Sequence, residues 1–266
     1  MLMVIAGTLL VLFAVAWLGL QVTPAPFAPH LAAAGELKTI PLQANLPAPV
    51  ERYYRTTIGD HVPVVESAVL SARGSMRIFG LRLPLRMRMI HKAGQEFRRY
   101  IEATWFGLPF VKIDEWYLGG RSHAFFPTGA IENDPKMNSA TNLAMWAECL
   151  SLPSVFITDP RVRWEPIDET HARLVVPSPE GSDSFTLSFD ARTGLMTEME
   201  ALRWSMPSDP ARRLWQTTAG SWSRVNGLLL PAGAAAWDHG KPWLLFTVED
   251  VAYNVDVTDY LRATGP

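Results

Sequence analysis

Residues 81–89, LRLPLRMRM, carry the clearest secondary-structure signal of the chain. Leucine and methionine occupy its odd positions, while Arg82, Arg86 and Arg88 share the even positions with Pro84. Successive side chains of a strand point to opposite faces, so this alternation predicts a half-buried strand with an arginine-bearing face. Proline donates no hydrogen bond to a neighbouring strand, and Pro84 therefore predicts a position near the edge of a sheet.

Strand-like segments separated by turn residues continue through the rest of the chain. Beyond residue 160 every signal is a strand or a short turn, as in residues 161–165, 171–176 and 184–190. Short connections favour antiparallel strands over parallel strands joined by helices. We therefore expect an α+β, mostly β fold built on one large curved antiparallel sheet.

Two helices are expected to pack on this sheet. Prolines are accepted in the first turn of a helix, and they precede the short helix predicted over residues 50–58. Asn138 is a candidate cap for a main helix over residues 139–150, where apolar side chains recur three and four residues apart. Cys149 lies on its apolar side, which is typical of a buried small hydrophobe rather than a reactive thiolate.

The amino-terminal residues predict a membrane anchor. Residues 1–19 carry no charge, and the first charged side chain of the chain is Glu36. About 20 apolar helical residues cover the ~30 Å hydrocarbon core of a bilayer. We expect a single transmembrane anchor over residues 1–21, a Pro/Ala-rich tether over residues 22–44 and one β-rich domain over residues 45–266. The alternative is a signal peptide cleaved after Ala34.

Composition excludes several functional classes. The 24 basic and 26 acidic side chains nearly balance, so no nucleic acid partner is expected. The sequence contains neither a serine-nucleophile elbow nor a phosphate-binding glycine loop, and its six histidines lack metal-ligand spacing. Asp114 and Glu115 point to opposite faces of a strand and do not form an acid–base pair. No catalytic residue, metal site or cofactor is therefore assigned.

Two groups of side chains remain as candidate binding residues. An aromatic set fits the lining of an acyl-chain pocket, and it equally fits an ordinary core between sheet and helix. The set is Trp105, Phe106, Phe110, Trp116, Phe125, Phe126 and Trp146. The arginine face of Arg82, Arg86 and Arg88 fits either an anionic headgroup or partner site, or a solvated strand surface.

Three stretches carry a resemblance to a known family. They are LPAPVERYYRTTIG at residues 46–59, LAMWAECLSLPSVF at residues 143–156, and SFDARTGLMTEMEALRW at residues 188–204. Together they resemble an uncharacterised bacterial domain-of-unknown-function family, which implies no reaction. The expected architecture is similar to the half-barrels of the LolA and LppX lipoprotein carriers, whose concave face holds acyl chains.

These observations lead to one functional expectation and two alternatives. We expect a single-pass protein of the cytoplasmic (inner) membrane, whose periplasmic, non-enzymatic body binds a lipid or other apolar ligand in the concave face of its sheet. The first alternative is an envelope interaction or assembly protein without a ligand. The second is a hydrolase of unrecognised type.

Overall fold

The computed structural model describes residues 1–30, 37–152 and 154–263. Two short strands, β1 (Thr39–Pro41) and β2 (His61–Pro63), form a separate antiparallel pair. The other thirteen described strands form a single sheet. They are β3 (Ser67–Ile78), β4 (Leu81–Lys92), β5 (Glu96–Trp105), β6 (Leu108–Leu118), β7 (Arg121–Phe126), β8 (Gly129–Glu132), β9 (Arg163–Pro166), β10 (His171–Ser178), β11 (Gly181–Phe189), β12 (Met196–Arg203), β13 (Arg213–Val225), β14 (Leu228–Trp237) and β15 (Leu244–Tyr253).

The large sheet is a meander with one long-range connection. Its strand order is β8-β7-β6-β5-β4-β3-β15-β14-β13-β12-β11-β10-β9, and all neighbours within it are antiparallel. The pairing of β15 with β3 joins the carboxy-terminal strands to the amino-terminal ones. The predicted fold class, a mostly β chain with a curved, open antiparallel sheet, is confirmed.

Strand β4 has the two faces that its alternation predicts. Leu85, Met87 and Met89 are buried in the main core, and the arginines lie on the opposite face. The edge position expected from Pro84 is wrong, because β4 lies between β3 and β5 in the middle of the sheet. The proline is accommodated because pairing with β5 begins one residue later, where Leu85 lies opposite Ala103.

The main helix begins earlier than the sequence suggests. The described α-helices of the body are α2 (Ala48–Thr57), α3 (Pro135–Glu148), α4 (Val155–Thr158) and α5 (Thr258–Arg262). In α3 the cap is Asp134, whose side chain accepts a hydrogen bond from the backbone N–H of Met137, and Pro135 occupies the first turn. Asn138 does not cap the helix, because its Oδ1 accepts the N–H and hydroxyl hydrogens of Ser122.

Helix α3 lies within the curve of the sheet. Residues 139–147 are all buried, so no side of the helix faces solvent over those residues. Leu143, Met145 and Trp146 belong to the main core cluster. The helix contacts β6 and β7 in one half of the sheet and β10 and β12 in the other. The concave face is therefore largely filled by this helix.

An exposed apolar helix precedes the body. Helix α1 spans Leu2–Gln21, and residues 3–21 are long and apolar enough to cross a membrane. Its carboxy-terminal end touches the sheet. The backbone N–H of Phe106 donates to the Gly19 carbonyl at 2.9 Å, and Trp105 Nε1 donates to the Ala16 carbonyl at 3.1 Å.

The sequence predicts a tether over residues 22–44, and the structure places the residues that directly follow α1 along the sheet. We call residues 24–28 the strap. Three arginines donate to its backbone carbonyls: Arg73 to Pro24, Arg86 to Ala25 and Arg88 to Ala28. An extended proline-rich backbone makes no hydrogen bonds of its own, so its carbonyls are free to accept from these arginines. The cleavage point considered after Ala34 lies outside the described residues.

One aromatic side chain fixes the strap to the arginine face. Phe27 is only 7% exposed. The guanidinium carbons of Arg86 and Arg88 lie 4.5 Å and 5.3 Å from its ring centroid, and the ring of Tyr100 packs against it at 6.0 Å. The strap therefore adds cation–π and apolar contacts to its hydrogen bonds.

Candidate functional site

A cavity of about 60 Å³ lies between α3 and the concave face of the sheet. Its wall is formed by α3, the turn after it, and strands from both halves of the sheet. Six side chains represent this wall: Met87, Met89, Ala147, Met196, Trp215 and Trp243.

Small residues create this space. Ala144 and Ala147 face it from α3, and Gly233 and Ala235 face it from β14. A Cβ atom on Gly233 would lie 2.5 Å from the ring of Phe246, so glycine is what allows that ring to lie against the sheet. The helix and the sheet consequently approach each other without filling the volume between them.

The size of the cavity limits what it admits without movement. A buried water needs roughly 10–15 Å³ of such volume, so about four waters fit, whereas an apolar cavity that binds benzene has about 150 Å³. An acyl chain therefore requires side chains in the wall to move. Met87, Met89 and Met196 are unbranched and adapt their shape more easily than other apolar side chains.

A buried ionic network borders the cavity at the end of α3. Glu148 accepts from Arg99 Nη1 at 2.5 Å and lies 3.0 Å from His91 Nε2. Arg99 also pairs with Glu115. Burial favours the neutral form of Glu148, but Arg99 and His91 outweigh it and hold the pKa of this carboxyl below its usual value. Arg99 thus pairs directly with both Glu115 and Glu148.

Arg203 is a second buried cation in the wall. It is 8% exposed, its Nε donates to the Ala140 carbonyl at 2.8 Å, and its guanidinium carbon lies 4.8 Å from the centroid of Trp215. No carboxylate of the described residues lies within 4.0 Å of it. Burial lowers the pKa of Arg203 to about 10, because it outweighs the attraction of Glu115 and Glu148.

Two indole N–H groups in the same wall are unsatisfied. Nε1 of Trp215 and Nε1 of Trp243 are buried, and neither has a hydrogen-bond partner among the described residues. Unpaired buried donors are rare and destabilising. The wall therefore holds more hydrogen-bond donors than the protein's own acceptors satisfy.

The predicted aromatic set is not brought together around this cavity. None of the seven side chains is among those that line it. Trp105, Phe106 and Phe110 are exposed at and beyond the β5–β6 turn, against which α1 ends.

The remaining four aromatic residues are divided between two places. Trp116 on β6 stacks on His123 with centroids 3.8 Å apart, and Phe125 and Phe126 lie near the end of β7. Trp146 is fully buried in the core on α3.

The three arginines of the predicted headgroup or partner face share one surface but have partners within the chain. Arg82 donates to the Ser75 hydroxyl at 3.1 Å and to the Pro242 carbonyl at 2.8 Å. Arg86 forms a 2.7 Å ion pair with Glu102. Both Arg86 and Arg88 are also covered by the strap, which competes with any external group for the same donors.

One cluster outside the cavity has metal-ligand character. Ligand atoms of Glu198, Glu200 and His239 lie within 4.8 Å of one another. The Gln216 amide is placed among them and donates to Glu200 at 2.9 Å. The amide therefore satisfies the carboxylates in the position that a cation would need.

The sequence analysis did not identify the hydrogen-bond donors of the cavity wall, although the pattern of β12 does contain a signal for one of them, Arg203. Met199 and Ala201 are buried, while Glu200 and Leu202 point to the other face of β12. Arg203 continues the buried set and so places a cation on an apolar face. The indoles of Trp215 and Trp243 have no comparable sequence signal, because their partners depend on packing between distant strands.

Several solved structures share features of this fold, and no curated protein matches the chain. A LolA-superfamily protein of Nitrosomonas europaea has a TM-score of 0.47 and 12% identity, covering 81% of this chain and 96% of that one. A domain assigned to outer membrane lipoprotein sorting in Vibrio parahaemolyticus has a TM-score of 0.44 and 7% identity, covering 80% and 92%. A DUF1329 family protein of Desulfovibrio piger has a TM-score of 0.44 and 11% identity, again covering 80% and 92%.

These likenesses concern architecture and carry no functional argument at such scores. Family membership rests on the sequence, since a family profile matches residues 37–246 and therefore most of the chain. The resemblance to a family without an assigned reaction is confirmed. The chain belongs to the family of unknown function DUF6544.

Proposed function

We propose that this protein is a membrane-anchored module that binds a lipid or other apolar ligand in the cavity between α3 and the concave sheet, with its body outside the cytoplasm. The observation that carries this proposal is the cavity itself. Ligand sites are concave and mostly apolar, with a few placed polar groups. Met87, Met89 and Met196 provide the adaptable apolar wall, and the donors described above provide the polar groups.

Exposed apolar side chains beside α1 support a position against the bilayer. The turns β3–β4 and β5–β6 lie side by side at one end of the sheet, because β4 pairs with both β3 and β5. We call the exposed apolar residues at and beside these two turns the rim. The rim consists of Phe79, Leu81, Trp105, Phe106, Leu108 and Phe110.

The rim and the anchor fit one membrane surface. Exposed apolar patches of this kind mark interaction sites, and aromatic side chains favour the interface between lipid and water. Helix α1 ends at the β5–β6 turn, so a bilayer that contains α1 would also contact the rim. The half-buried cavity residues Trp243 and Phe246 lie at this same end, since Leu244 pairs with Met76 just before the β3–β4 turn.

Quenching of tryptophan emission tests the cavity directly. Full-length protein in amphipol is titrated with a brominated fatty acid, which quenches the indoles it approaches. We expect saturable quenching at one site per chain, since Trp215 and Trp243 line the cavity.

A cavity-blocking variant and a matched control identify the site. Ala147→Phe places a ring inside the cavity and should abolish saturable quenching. Ala130→Phe adds the same ring at an exposed position on β8 and should leave it unchanged. Equal quenching in both variants would show that the ligand lies elsewhere, and absence of saturable quenching in the wild-type protein would overturn the proposal.

The membrane side is tested by cysteine labelling. Cys149 is fully buried, so it contributes little background. An Arg192→Cys variant places a thiol on an exposed turn of the body. A membrane-impermeant maleimide should label it in intact spheroplasts, whereas labelling only after lysis would place the body in the cytoplasm.

A further inference from the structure

Arg203 has unused hydrogen-bonding capacity inside the cavity wall. Its Nε donates to the Ala140 carbonyl, but neither of its two terminal nitrogens has a hydrogen-bond partner among the described residues. The side chain is more than nine-tenths buried, and it lines the cavity. A buried guanidinium whose terminal N–H groups have no acceptor is costly, so the site favours the arrival of an acceptor.

Glu115 and Glu148 balance the charges of Arg99 and Arg203 in number, but neither carboxylate lies within 4.0 Å of Arg203. Glu148 is the carboxylate that lines the cavity, and it is already engaged by Arg99 and His91. Glu115 is likewise engaged by Arg99. The unsatisfied Nε1 donors of Trp215 and Trp243 lie in the same wall as Arg203. The local excess is therefore one of hydrogen-bond donors, and an anionic oxygen group is the acceptor that would bind most strongly to the guanidinium among them.

The rest of the wall specifies an apolar chain. Met87, Met89 and Met196 surround the side of the cavity formed by β4 and β12. A cavity of about 60 Å³ must widen to admit any acyl chain, and it must widen less for one chain than for two. On the basis of the proposed function, we infer that the ligand is a single-chain amphiphile with an anionic oxygen head group, a carboxylate or a phosphate, and that Arg203 binds that head group.

Three probes that share the same alkyl chain length measure how much the head group contributes to the affinity. Full-length protein in amphipol is titrated with palmitate, hexadecyl phosphate and hexadecanol, each displacing the brominated fatty acid. Hydrogen bonds to charged groups contribute about 1.5–3 kcal/mol, which corresponds to roughly 10-fold to 150-fold in affinity. We expect at least one anionic probe to bind about tenfold or more tightly than hexadecanol. The stronger of the two anions identifies the head group.

Variants assign this preference to Arg203. Arg203→Gln should weaken binding of the preferred anion by about tenfold or more and leave hexadecanol unchanged. Arg203→Lys retains the positive charge and should keep part of the preference. Arg224→Gln removes an exposed arginine on the same sheet and is the control. Because the preference of the wild-type protein is measured independently, a variant that fails to fold does not prevent the test.

The outcomes separate this inference from the proposed function. If all three probes bind equally and Arg203→Gln changes nothing, the cavity binds apolar chains but the inference about the head group is wrong. If none of the probes competes, the proposed function fails together with the inference. Tighter binding of hexadecanol than of both anions would also overturn the inference.

Discussion

Glu148→Gln is expected to destabilise the protein strongly, because it removes one partner from a buried ionic network. The side chains of Glu148 and Arg99 are 10% and 12% exposed, and that of His91 is fully buried. Loss of one partner of a buried pair costs about 3–5 kcal/mol, because the remaining charge is left uncompensated. Glutamine keeps the shape of the side chain, so we expect the free energy of unfolding to fall by about 3 kcal/mol, the lower end of this range. That is a large part of the total stability of a typical domain.

Glu165→Gln is the matched control. Glu165 also contacts two arginines, Arg163 at 3.0 Å and Arg173 at 3.5 Å, but its side chain is 36% exposed. Exposed ion pairs contribute about 0–1 kcal/mol, so this variant should unfold nearly as the wild-type protein does. Urea unfolding of the full-length protein, followed by the emission of its ten tryptophans, gives both values. A loss below about 1 kcal/mol in Glu148→Gln, or equal losses in both variants, would show that the buried network does not stabilise the fold in this way.

The same network predicts how stability depends on pH. The pKa of Glu148 is lower in the folded protein than in the unfolded chain, where it is about 4.3. Its contribution to stability is therefore complete above the unfolded value and is lost as the pH falls through the folded value. The difference in the free energy of unfolding between the wild-type protein and Glu148→Gln should therefore shrink as the pH is lowered below about 4. An unchanged difference in the free energy of unfolding would contradict this assignment.

Three further outcomes follow from packing. Phe27→Ala should lower the unfolding midpoint and increase proteolysis of the strap, whereas Phe79→Ala, at a position 92% exposed, should not. Cys149 should not react with a thiol reagent at pH 8 until the protein unfolds, since burial raises the pKa of its thiol to about 12. Gly74→Ala should lower the free energy of unfolding in urea by roughly 1–3 kcal/mol, because its Cβ would clash with the backbone oxygen of Leu245. Gly220→Ala should change stability by much less, because its Cβ would lie 3.4 Å from the backbone oxygen of Ala232.

Local patterns predict much of the fold because they act over a few residues. The alternation in residues 81–89 correctly predicts a strand with an apolar and an arginine face. The opposite orientations of Asp114 and Glu115 follow from the same rule, and these residues pair with Arg98 and Arg99 respectively. The pairing of β15 with β3 was not predictable, because no local signal identifies which distant strands are neighbours.

The site was harder to predict than the fold because it depends on the volume between elements. Aromatic content drew attention to Trp105 and Phe106, which lie beside α1, whereas the cavity arises from small residues such as Ala147 and Gly233. Space left by an alanine or a glycine has no pattern in the sequence by which it could be recognised. The partners of Arg203 likewise depend on how α3 packs against β12.

Native mass spectrometry of the full-length protein, released from membranes and compared with Ala147→Phe, shows whether the cavity holds a lipid. We expect one bound lipid per chain in the wild-type protein and none in the variant, because the new ring occupies the cavity. A wild-type protein that carries no bound molecule, or equal lipid occupancy in the two proteins, would contradict this expectation.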